Sequence, residues 1–116
     1  GKAVTRRDAD NVDRIQVCFT TTANEIAETG REVFHLRIIN SQGETLALDQ
    51  MGSGTFVNRA TGETTRFTLA DEMDYDGTPG RSCMIWAPGQ AFAAGNYTIE
   101  VYNKGFLVGS TTLKLR

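Results

Sequence analysis

From Arg14 to Leu115, apolar residues recur at every second position in short runs, and turn residues separate these runs at intervals of about ten residues. The clearest run is near the C-terminal end. Tyr97, Ile99 and Val101 alternate with Thr98, Glu100 and Tyr102, Asn103-Lys104-Gly105 supplies a turn, and the chain returns through Phe106 to Leu115. Gly105 suits the positive φ of a tight hairpin turn. A first strand over Arg14 to Thr21 puts Ile15, Val17 and Phe19 on one side. A second, Arg31 to Ile39, puts Phe34, Leu36 and Ile38 on a core face, with His35 and Arg37 on the opposite, outer face. Between them, Asn24 to Thr29 has the composition for one helical turn, but Gly30 stops it, and the segment reads as a connecting loop.

Asn40-Ser41-Gln42-Gly43 predicts a hairpin turn, with Glu44 to Leu48 as the return strand. Gly52-Ser53-Gly54 marks a hinge or bulge into Thr55-Phe56-Val57, a turn follows around Ala60-Thr61-Gly62, and Thr64 to Leu69 forms the next strand. Asp71 to Gly80 is acidic and then rich in Gly and Pro, which predicts the longest irregular loop. Cys83 to Trp86 is a short apolar strand ended by Pro88-Gly89. Seven or eight short strands with no long helix between them predict an all-β fold, a single antiparallel β-sandwich. Its expected core is Val17, Phe19, Phe34, Leu36, Ile38, Phe56, Phe67, Trp86, Tyr97, Ile99 and Val101. Residues 1–13 carry no periodicity and read as a flexible tail or linker, so the domain is expected to occupy 14–116.

Composition narrows the function classes. At 116 residues the chain is long enough to bury a core without metals. A net charge of -2 with 22% charged residues gives no electrostatic reason to expect nucleic acid or an anionic membrane as partner. No apolar run approaches the roughly 20 residues of a membrane helix. The chain starts at Gly1 rather than Met, so a longer natural protein is expected upstream. Two cysteines, Cys18 and Cys83, are either bridged in an oxidising compartment or two small buried hydrophobes in a reduced one. Cys18 is out of step with Ile15, Val17 and Phe19, and Cys83 is out of step with Met84 and Trp86.

Candidate chemistry is sparse. Glu72, Asp74, Asp76 and Gly77 fit positions 1, 3, 5 and 6 of an EF-hand loop, but position 12 is Cys83 where a bidentate Glu is required. A solvated acidic loop, with Met73 and Tyr75 packing inward, is the better reading, with a looser calcium site on a sandwich loop as the alternative. Gly52-Ser53-Gly54 lacks the Lys and the helix of a phosphate loop. His35 is the single histidine, and no Gly-x-Ser-x-Gly elbow gives it a nucleophile. Both cysteines lie in apolar strands, where a thiol is inert. Asn96-Tyr97-Thr98 fits a glycosylation sequon, but Tyr97 is expected in the core. Trp86, Phe92, Tyr102 and Phe106 form a stacking platform for sugar rings if they are exposed together. The alternative is that Trp86 and Phe92 plug one end of the sandwich, which leaves Tyr102 as the best candidate for exposure. No catalytic, cofactor-binding or metal residue is assigned, and the chain is not read as an enzyme.

The run Trp86-x-Pro88, Phe92, Gly95-x-Tyr97-x-Ile99-x-Val101-Tyr102, Gly105, Val108-Gly109 and Leu113 resembles the closing hairpin of bacterial immunoglobulin-like and fibronectin-type modules. With Ile15-Gln16-Val17-Cys18-Phe19 and Val33 to Ile38, the chain is similar to a C-terminal domain of coiled-coil proteins from Bacteroidetes-type bacteria. The resemblance implies a tethered, extracytoplasmic display domain anchored by an upstream membrane helix, and it transfers no functional residues. Antibody-type domains carry their Trp shortly after the first Cys, whereas Trp86 follows Cys83, so the standard inter-sheet bridge is not implied. The expected function is a non-catalytic interaction or structural module of a cell-envelope protein that binds a protein partner or self-associates, with a carbohydrate-binding module as the alternative. A cluster of exposed aromatics would favour glycans, whereas an apolar patch or free strand edge would favour protein.

Overall fold

The alternating runs form strands, several of which pair with partners distant in the chain. The computed structural model describes residues 12–21, 30–75, 80–89 and 91–116. Within them lie eight strands: β1 Ile15–Thr21, β2 Gly30–Ile39, β3 Gly54–Val57, β4 Thr64–Phe67, β5 Leu69–Tyr75, β6 Gly80–Trp86, β7 Gly95–Asn103 and β8 Phe106–Leu115. The central sheet has the order β5-β2-β7-β8, β1 and β6 make a two-stranded ribbon, and β3 and β4 make a hairpin. Every pairing is antiparallel.

Packing of the ribbon on the central sheet makes the chain an antiparallel β-sandwich. Ile15, Val17, Met84 and Trp86 from the ribbon meet Phe34, Leu36, Ile38, Ile99, Val101 and Leu115 from the sheet. Each such burial stabilises by about 1.5–3 kcal/mol. Val12, Phe92 and Tyr97 complete this core, and Phe19 packs partly buried against it. The packed domain therefore begins by Val12, whose carbonyl accepts from the Phe92 N–H. Residues 1–11 and the expected loop 24–29 lie outside the described residues.

The other face of the sheet is also covered. The β3–β4 hairpin lies over it, with Phe56 stacked 4.9 Å from His35 and 4.8 Å from Tyr102, and Phe67 4.7 Å from His35. Three expectations change as a result. Tyr102 is 4% exposed rather than the exposed aromatic, His35 is half-buried between two rings, and Phe56 and Phe67 belong to a second apolar layer instead of the main core. Alternation records only that a residue turns away from one core. It carries no information about a layer added on the far side.

That layer depends on Thr68. The expected strand Thr64 to Leu69 is broken there, with Phe67 ending β4 and Leu69 beginning β5. At the break, fully buried Thr68 completes the ladder of β2, because its N–H donates to Leu36 O (2.7 Å) and its Oγ1 accepts from the Ile38 N–H (2.9 Å). The Thr68 carbonyl accepts from Ser53 Oγ, which in turn accepts the Leu48 N–H. Because Leu48 spends its N–H on Ser53, the expected return strand 44–48 shrinks to one bridge, Ile39 with Thr45, followed by a 3-10 turn over Asp49–Met51. Asp71 to Tyr75 is not loop but the outer half of β5, paired to β2 from Phe34 back to Gly30. Met73 from this segment packs against the core.

Two further contacts fix the sheet ends. The Tyr97 hydroxyl donates to the Ala93 carbonyl at 2.6 Å and ties the start of β7 to the loop before it. The β7–β8 turn places Lys104 at φ 54° and Gly105 at φ 84°. A side chain at Gly105 would also come within 2.6 Å of Val57 O, because Arg59 N–H bonds Gly105 O and draws the hairpin tip against the turn.

The cysteines are bridged. Cys18 and Cys83 are opposite each other in the β1–β6 register, with Cα atoms 4.1 Å apart. Both residues are out of phase with the core in the same sense, so they meet on the ribbon's outward face.

Replacing Thr68 by Val keeps the shape but leaves the Ile38 N–H buried without an acceptor. Urea denaturation should show a loss of about 1–3 kcal/mol for Thr68→Val, with Thr68→Ser closer to wild type.

Candidate functional site

One end of the sandwich is hollow. The Asn40 to Gln42 turn, the Leu46 to Leu48 segment and the loop after β6 enclose a pocket of about 240 Å³ over Trp86, Phe92 and Tyr97. Its floor is apolar, its rim carries amide and hydroxyl groups, and no ionisable side chain other than the Tyr97 phenol lines it. Trp86 is 2% exposed and its indole N–H has no acceptor, an unusual state for a buried donor. Tyr97 is tied to Ala93, and burial raises its phenol above the ordinary value of 10.0.

The second polar cluster lies beneath the β3–β4 hairpin. Arg37 Nη1 meets Glu100 Oε1 at 2.8 Å, its Nε donates to Arg66 O at 2.8 Å, and its Nη2 donates to Thr45 Oγ1. Tyr102 donates to the same Glu100 oxygen at 3.1 Å. Burial first, and then the Glu100 carboxylate, push the Tyr102 phenol above its ordinary value. Each side-chain nitrogen of Arg37 and the Tyr102 hydroxyl bonds a protein acceptor, so the cluster ties the hairpin to the sheet.

The candidates read from the sequence scatter across the fold. Asp71 and Glu72 are exposed on β5, Asp74 pairs through its backbone with Arg31, and Asp76 and Gly77 lie outside the described residues. Among the described residues, no group of three His, Cys, Asp or Glu side chains could hold a metal ion. In Gly52-Ser53-Gly54, Gly52 ends the 3-10 turn at φ 94° and Ser53 clasps Leu48 to Thr68. That clasp was legible only as a glycine-flanked serine. Cys18 and Cys83 are spent in the bridge. Asn96 is exposed, next to buried Tyr97. Of the four aromatics considered for sugar stacking, Trp86, Phe92 and Tyr102 are buried, and Phe106 alone is exposed, at 53%.

The remaining features are surfaces. Val33, Met51, Val57, Ile85, Phe106 and Leu107 are large exposed apolar residues, and the last two open β8. β8 borders the sheet, and among the described residues nothing pairs with its outer edge. Below that edge an apolar groove of about 200 Å³ runs between β8 and β1.

Fold and surfaces together define a small antiparallel β-sandwich domain whose ten-residue β8 edge pairs with nothing among the described residues. The chain belongs to the family described as Domain of unknown function (DUF8428), whose match spans residues 1–116. Neither a curated protein nor a solved structure matches it.

His35 makes the hairpin layer pH-sensitive. Burial lowers its pKa from the ordinary 6.5, and its Nδ1 is buried without a partner. In the interval between the lowered folded value and 6.5 the unfolded chain binds more protons, so stability rises with pH there. The contribution is full above about 6.5 and is lost as the pH falls through the folded value. Denaturant titrations at pH 7.5 and 5 should show His35→Phe losing less stability on acidification than wild type. Equal losses would remove His35 as the cause.

Proposed function

We propose that this domain is a non-catalytic interaction module of a larger bacterial cell-envelope protein, binding a protein partner or a second copy of itself. The observation that carries this reading is the β8 edge, with which nothing pairs among the described residues. It is ten residues long, opens with exposed Phe106 and Leu107, and has Lys114 as its single charged residue. Edge strands that avoid pairing are usually short, charged, bulged or interrupted by Pro. β8 is long, nearly uncharged and free of Pro, and its one irregularity is the shift opposite Val101 and Tyr102.

The Cys18–Cys83 bridge supports an extracytoplasmic setting, where such bonds form and persist. The second reading, a carbohydrate-binding module, draws on the end pocket with its amide rim and aromatic floor. Its rings are only 2–7% exposed, which leaves little face for stacking on a sugar.

The test is fractionation of the full-length protein from its native cells, with free thiols alkylated at lysis and partners cross-linked beforehand. The expected result is recovery with the envelope, Cys18 and Cys83 protected from alkylation, and a cross-linked protein attached to the domain. Recovery in the cytosol with both thiols alkylated and no cross-linked partner would overturn the reading.

A further inference from the structure

We propose that the β8 edge and the groove beneath it form a self-complementary docking site, in which two copies of the domain pair through antiparallel β8 strands about a two-fold axis at Ser110. This rests on the interaction-module reading and names its partner.

The first observation is Gly109. It sits inside β8 with an ordinary extended backbone, so its conformation does not require glycine. A Cβ built there would meet nothing within 4 Å, so packing within the chain does not require glycine either. Glycine inside a strand often marks a bulge or the close approach of another chain. The register shift opposite Val101 and Tyr102 lies beside Gly109, but the vacant space above its Cα is left unfilled.

The second observation is the groove. Val17 and Phe19 form one wall, Ile99 and Val101 the floor, and Gly109 and Thr111 the β8 side. It is lined mainly by apolar groups and contains no ionisable side chain, so it suits an uncharged strand with small apolar groups at alternate positions. β8 has that chemistry itself.

The spacing supplies the third argument. Gly109 and Thr111 line the same groove, two residues apart. A two-fold axis at Ser110 sets Thr111 of one copy opposite Gly109 of the other, so the β-branched methyl of each fills the notch of its mate. Such a contact is isologous and closes on itself. The same register sets Lys114 opposite Phe106 of the second copy. The two Lys114 residues then lie eight positions apart along the strands, about 26 Å at ~3.3 Å per residue. That exceeds the Debye length of about 8 Å at physiological salt, so their repulsion is screened. The product is a continuous eight-stranded sheet that satisfies the outward β8 N–H and C=O groups left without a partner among the described residues.

The test is sedimentation velocity of the oxidised domain across a wide concentration range, with hydrogen exchange at its two ends. Wild type should pass from monomer to dimer as concentration rises, gaining amide protection confined to β8. Gly109→Val fills the notch and Thr111→Lys points a charge into the groove, and both positions have room or solvent around the new side chain. Each variant should weaken the dimer at least roughly tenfold while melting as wild type does. A wild type that stays monomeric throughout, or a dimer that both variants retain, overturns the proposal. If the native-cell cross-link to a different protein persists in either case, self-pairing fails while the module reading stands.

Discussion

The layers of this sandwich converge on β2, and its ladder is finished by a side chain. β5 pairs with β2 only as far as Leu36 and Leu69, and beyond that point the chain has already departed into the hairpin. Thr68 fills the gap by presenting both an amide donor and a hydroxyl acceptor to one neighbour. In a fully buried position this is the difference between a satisfied and an orphaned backbone group. Because the Thr68 carbonyl also holds Ser53, one residue fixes the junction where the hairpin folds back over the central sheet. The ribbon on the opposite face meets the sheet through apolar side chains.

Much of the architecture was legible because period-2 alternation is a direct consequence of strand geometry. Phe34, Leu36 and Ile38, and Tyr97, Ile99 and Val101, are all buried where their phase put them. The same logic misplaced Tyr102, because phase separates two faces without saying whether the second face is wet. His35 and Arg37 share that face with it, and their polarity suggested solvent. Instead Arg37 is held by Glu100, Arg66 O and Thr45, while His35 lies between two phenylalanines. The acidic run from Asp71 reads as loop by composition, yet an outermost strand tolerates carboxylates on its exposed side. The disulfide was hard to read for a related reason. Phase measured against the core showed each cysteine as a misfit, whereas phase measured between the two strands shows them facing one another.

The candidate site was less legible than the fold. Loop-borne pockets depend on how separate segments converge, and no local pattern links Asn40 to Pro88. The surfaces that remain are defined by what the chain leaves uncovered. Burial of Trp86, Phe92 and Tyr102 moves the aromatic content from surface recognition to scaffold, and the end pocket keeps only their margins. Among the described residues, most of the large exposed apolar side chains are aliphatic, and the ten-residue β8 edge is unpaired. The proposed reading, contact between polypeptides ahead of sugar stacking, rests on that balance.

The Cys18–Cys83 bond also sets how the domain answers a mechanical pull. It joins positions 65 residues apart, and β2, β3, β4 and β5 lie wholly inside the closed loop. Tension applied through the flanks of the bridge is carried across the sulfurs and never reaches those strands. Only the start of β1, the end of β6, and β7 with β8 can be drawn out. At about 3.4 Å per residue the loop withholds some ~220 Å of contour length. Under load the domain is a short tether with a locked centre, and the closing hairpin lies outside the lock.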